Sequence, residues 1–144
     1  MRVLIYSGIS QSNKKYLKSG LQGIDWAVSQ LNDRGGLPRD NSGASAVQSD
    51  VMSQLLRLLM LCYTELHELM DNSLLTRSIG MLHNRILDFC VTSSDDNRGG
   101  LRYKLELETT CSWCTMFCMQ ALRLWQKRSI GQLKDNADRM DFFV

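Results

Sequence analysis

The sequence predicts an all-α chain built from repeated αα-hairpins, and three observations carry that expectation. Apolar residues recur every three or four positions over long stretches, as one face of a helix requires. A single proline, Pro38, leaves room for long uninterrupted helices. Finally, a helix-forming stretch followed by Arg-Gly-Gly-Leu occurs twice, at 34–37 and at 98–101.

The repeat extends beyond the glycines. "GIDWAVS" (23–29) aligns with "ILDFCVT" (86–92), which pairs Asp25 with Asp88, Trp26 with Phe89 and Val28 with Val91. After the glycine loop comes "QLLRLL" (54–59) in the first copy and "QALRLW" (120–125) in the second. Each unit therefore reads as helix, glycine loop, helix.

In chain order, residues 1–16 form a lead with only weak helical signal. Unit one spans 17–71. Its first helix carries Leu17, Leu21, Ile24, Val28 and Leu31 as one apolar stripe, so it has one wet face. Its second helix sets Val47, Val51, Leu55, Leu58, Cys62, Leu66 and Leu69 in a stripe, and Met52, Leu56, Leu59 and Met60 add apolar surface around it. Only Arg57 interrupts residues 55–63, and Ser49 or Asp50 is placed to cap the start. Such a helix belongs in an interior.

"DNS" (71–73) separates the units. Unit two spans 73–128, with Leu75, Ile79, Leu82, Ile86 and Phe89 at helical spacing. Its second helix, "CSWCTMFCMQALRLW" (111–125), is apolar on most sides and is expected to be as buried as its counterpart. Trp26, Trp113 and Trp125 fall on apolar helical positions and are expected in the core. Residues 129–144 form a mostly polar tail compatible with a short helix.

Composition narrows the partners. The 144 residues suit one domain, and 44% apolar with 22% charged residues argues against disorder. The net charge of +2 is scattered without a basic block, so nucleic acid is not expected as a partner. No apolar run approaches the roughly 20 residues of a membrane span. "MRVLIYSGIS" is too short in apolar residues for a secretory signal. The five cysteines are odd in number, and Cys111, Cys114 and Cys118 fall at i, i+3 and i+7 of one helix. That usage fits reduced thiols and a cytoplasmic location. Three thiols fall short of the four ligands of a structural zinc site, so small buried hydrophobes are the expected role, with no metal and no cofactor.

Paired helices with an outer amphipathic and an inner apolar member resemble the α/α toroid, in which about six or seven hairpins close a double ring. "WAVSQLNDRGGL" is similar to the glutamine–tryptophan repeat of terpenoid cyclases. Gln30 and Asp33 match, while Arg34 is inserted before the glycines and Leu37 replaces the tryptophan. "ETTCSWCTMFCMQALRLW" (108–125) resembles the closing inner helix of polysaccharide-associated toroids. Trp113 and Thr115 match there, and Cys114 stands where alanine is usual. Two hairpins do not close a ring, so the resemblance implies a partial toroid, the C-terminal part of a larger protein that supplies the missing upstream hairpins.

On that resemblance, the chain contributes to a funnel wall in a hydrolase, lyase or epimerase acting on a poly- or oligosaccharide. The inner-helix starts and adjoining loops would line the funnel. Asp50 and Glu108 are the candidate acid–base pair. Arg39, Asp40, Gln48, Arg102 and Tyr103 are the candidate ligand-binding residues. The plainer alternative makes Asp50 a helix-start charge and Glu108 a solvated loop residue. A second class of function fits the same sequence: a non-catalytic helical module that dimerises or docks through its apolar inner helices, because residues 51–63 and 111–125 carry more apolar surface than two hairpins easily bury. The Arg-Gly-Gly-Leu elements suit either a ligand cradle or a helix reversal, and their recurrence in both units favours the reversal.

Overall fold

The computed structural model describes residues 1–38, 46–92, 98–107 and 109–129. Among them the chain is all-α, with five helices: α1 (Arg2–Ser10), α2 (Lys14–Ser29), α3 (Ser49–Glu65), α4 (Asn72–Leu87) and α5 (Ser112–Ser129). A 3-10 turn at His67–Leu69 follows α3. Extended pairing among these residues is confined to isolated bridges, Pro38 with Val47, Cys90 with Leu101 and Arg102 with Thr110. The tail beyond Ser129 lies outside the described residues.

The N-terminal lead, read from sequence as poorly defined, is helical. Helix α1 packs along α2, and Ile5 is fully buried against it. Periodicity misses α1 because nine residues hold too few turns to show a stripe. A β-carbon on Gly8 would lie 2.7 Å from the Leu17 backbone nitrogen, so a glycine is required where α1 and α2 touch. Asn13 then starts α2 by accepting from the backbone N–H groups of Lys15 and Tyr16 at 3.1 and 3.3 Å.

Helix α3 is the centre. Every residue from Leu55 to Cys62 is buried, Arg57 included, and α4 and α5 both pack on it. Asp71 starts α4 by accepting from Ser73 and Leu74 at 2.8 and 3.1 Å, so the separator read from sequence is a helix cap. Helix α4 then buries Leu75, Ile79, Leu82 and Ile86, the stripe the spacing predicts. Within each sequence unit the two helices touch little; α2 packs mainly on α1, and both α4 and α5 pack on α3.

Helix α5 departs from expectation. It buries only Cys114, Cys118, Ala121 and Leu124, while Trp113 is 62% exposed, Met119 55% and Met116 40%. The apolar residues surround the helix, but α3 and α4 supply cover on one side only. Of the three tryptophans, Trp125 packs against the core and stacks on His83 at 4.6 Å between ring centroids. Trp26 and Trp113 are exposed, contrary to their expected burial. Phe89, aligned with Trp26 by the repeat, is fully buried. The copies diverge here because residues 25–29 are still helical, whereas 88–92 have left α4.

Both Arg-Gly-Gly-Leu elements are elbows. Gly35 and Gly99 adopt positive φ, at 75° and 84°. Asn32 Oδ1 accepts from Arg34 and Gly36 N–H at 3.0 and 2.8 Å, and Gly35 N–H donates to the Asn32 carbonyl at 2.8 Å. In the second element Gly99 N–H donates to Val91 O, and Leu101 N–H to Thr115 Oγ1 at 2.9 Å. These amides are used within the chain, so the loops do not present them to an anion.

Candidate functional site

Among the described residues, four of the five buried polar ones, Gln48, Ser49, Ser53 and Arg57, lie along α3 and its cap, and three of these make contacts toward α5 or the loop before it. Ser49 Oγ donates to the Arg102 carbonyl at 2.7 Å, and Ser49 N–H to the Tyr103 carbonyl at 3.2 Å. One turn on, Ser53 Oγ lies 2.8 Å from Cys118 Sγ, and two turns on Arg57 Nη1 donates to Gln120 Oε1 at 2.8 Å. Ser49 is also hydrogen-bonded to Cys114, so positions 49, 53 and 57 meet 114, 118 and 120 of α5 in rising order, and α3 and α5 run parallel with their N-termini at one end. The second glycine elbow closes that end.

This joint brings together several residues singled out from sequence. Asp50 is in the first turn of α3 and partly buried, and its Oδ1 is buried without a hydrogen-bond partner. It lines a cavity of about 310 Å³ whose wall is otherwise Met1, Ala27, Leu37, Val51, Gln54, Leu55, Leu58 and Phe117. Arg102 is partly buried with its Nε unpartnered, and Lys104 Nζ sits 5.8 Å from the Tyr103 ring centroid. Gln48, not Ser49 or Asp50, occupies the cap position of α3 and makes no side-chain cap bond. It is buried, which takes it off an open funnel wall. Arg39, Asp40 and Glu108 lie outside the described residues, so the proposed Asp50–Glu108 pair has one described member.

Sequence reasoning assigned Cys111 to a buried helical face. Cys114 and Cys118 are buried, but Cys111 is partly exposed and occupies the position just before α5. There the backbone N–H groups of Trp113 and Cys114 donate to its sulfur, and its side chain is hydrogen-bonded to that of Cys114. Those bonds lower the Cys111 thiol below its ordinary range, the backbone bond from Cys114 most, against burial and the Asp50 charge. Burial, then the bond to Cys111, pushes the Cys114 thiol up to about 12. Burial likewise raises Cys118 to about 11 and Cys62 to about 12. The available signal was the Cys-x-x-Cys spacing at a helix start, which the longer i, i+3, i+7 pattern obscured.

Among the described residues, no group of three or more His, Cys, Asp or Glu side chains is arranged to hold a metal ion. No described helix is long and apolar enough to cross a membrane. No family model, curated protein or solved structure matches the chain.

Proposed function

We propose that the chain is a helical interaction module that pairs with a second copy of itself through the outer face of α5. The observation that carries this is the exposure of Trp113, Met116 and Met119 on one helix. From Thr109 to Leu122 the sequence has no charged residue. Two copies can therefore meet along this face without stripping water from an ionic group, and an uncharged apolar patch is complementary to itself across a two-fold axis. Neighbouring Arg123, Gln126 and Lys127 would form a polar rim. The expected outcome is a dimer by sedimentation in the wild-type chain and a monomer of unchanged helicity in Met116→Glu with Met119→Glu. A monomeric wild type overturns the proposal.

A specific observation also favours a ligand site of the toroid kind. Hairpins repeated around a ring axis keep their inner helices parallel, as α3 and α5 are, and a saccharide hydroxyl would suit the unpartnered Asp50 Oδ1 and Arg102 Nε. In that role the chain forms part of a funnel wall, with the repeated hairpins continuing in a larger protein and Asp50 and Glu108 as the acid–base candidates. Calorimetric titration with neutral oligosaccharides tests it. Binding lost in Asp50→Asn supports the site, and no heat in the wild type removes it.

A further inference from the structure

We propose that Cys111 and Cys114 are a redox-active dithiol that exchanges with small-molecule disulfides of the glutathione type. The pair is built as that chemistry needs. Cys111 is the accessible member, set where two backbone N–H groups of the first turn of α5 point at its sulfur and stabilise a thiolate. Cys114 is the covered member, one turn later, with its side chain in contact with that of Cys111. The Thr115 N–H bond to the Cys111 carbonyl, 2.8 Å, makes Cys111 the head of the first turn of α5, which sets its Cα about 5–6 Å from that of Cys114, inside the span of a disulfide. Exposed Trp113 stands between them in sequence, an apolar surface for the incoming molecule. The remaining cysteines make a contrast: Cys62 and Cys118 are buried within helices, and Cys90 is raised by burial.

The exchange has two steps. The Cys111 thiolate attacks one sulfur of the disulfide, a Cys111–glutathione bond forms, the substrate S–S bond breaks, and the first glutathione leaves as thiolate. Cys114 then gives its proton to solvent and attacks Cys111 Sγ, which releases the second glutathione thiolate. Both leaving thiolates take protons from solvent. The protein dithiol is oxidised to a disulfide by two electrons, and glutathione disulfide is reduced to two thiols.

The test uses the full chain, reduced and then exposed to glutathione disulfide at neutral pH, acid-quenched, alkylated and mapped by mass spectrometry. The expected product is a Cys111–Cys114 disulfide, formed about tenfold or more faster than any adduct at Cys90. In Cys114→Ser the mixed disulfide should accumulate at Cys111. Reaction of Cys111 no faster than Cys90 in both the wild type and Met116→Glu overturns the proposal. Cys111 stands at the rim of the α5 face, so the same comparison is made in Met116→Glu. Exchange in that variant supports the dithiol even where a second copy occludes it, and absence of exchange in both chains overturns it.

Discussion

A thiol at a helix start and a thiol in a β-bridge should titrate on opposite sides of the ordinary cysteine value. Cys111 is lowered because the α5 amides bond to its sulfur, with burial and the Asp50 charge acting against them. Cys90 is raised by burial. Alkylation followed against pH should therefore show Cys111 reacting at a midpoint below 9.0 and Cys90 above it. Coincident midpoints would mean that the helix start does not stabilise the thiolate. The glycines offer a second contrast. Gly80 lies inside α4 with nothing near where a β-carbon would go, so Gly80→Ala should stabilise the chain by about 0.5–1 kcal/mol. Gly35→Ala should destabilise it by more than about 1 kcal/mol, because φ is 75° and the new carbon would lie 2.6 Å from the Met81 carbonyl oxygen. Thermal denaturation of the two variants checks both signs.

Between elements, the legible and illegible parts of the fold separate cleanly. The stripe of α4 and the all-round burial of α3 follow from spacing, because α3 has neighbours on several sides. The same reasoning placed α5 in the core and was wrong there. Periodicity reports which residues are apolar and says nothing of whether a neighbour exists to cover them. Arg57 and Arg123 make the point, as they occupy matching places in "QLLRLL" and "QALRLW". Arg57 is buried and bonded to Gln120, whereas Arg123 is exposed. The joint that brings residues 102–103 to the start of α3, with Ser49 Oγ on the Arg102 carbonyl, spans 53 residues of sequence and leaves no local signal to read. Caps are local and cheaper to read: replacing Asp71 by Ala should cost about 1 kcal/mol through the two lost N–H bonds. An unchanged midpoint in urea would show that α4 starts without its cap.

For the whole molecule, the buried thiols set an alkaline limit. Cys62, Cys114 and Cys118 are pushed from 9.0 up to about 12, 12 and 11. Above pH 9 the unfolded chain sheds thiol protons that the folded chain keeps, so it binds fewer protons and stability falls as pH rises. The stabilisation is complete below pH 9 and is lost progressively toward pH 11–12. Chemical denaturation across that range should show a declining midpoint, and a flat one would mean that the thiols are not buried as described. The larger question at this scale is what covers α5. Sedimentation of the wild-type chain at micromolar concentration answers it most directly. The account predicts a discrete species of twice 16.4 kDa that reverts to a monomer in Met116→Glu with Met119→Glu. A wild type that stays at 16.4 kDa throughout would contradict it.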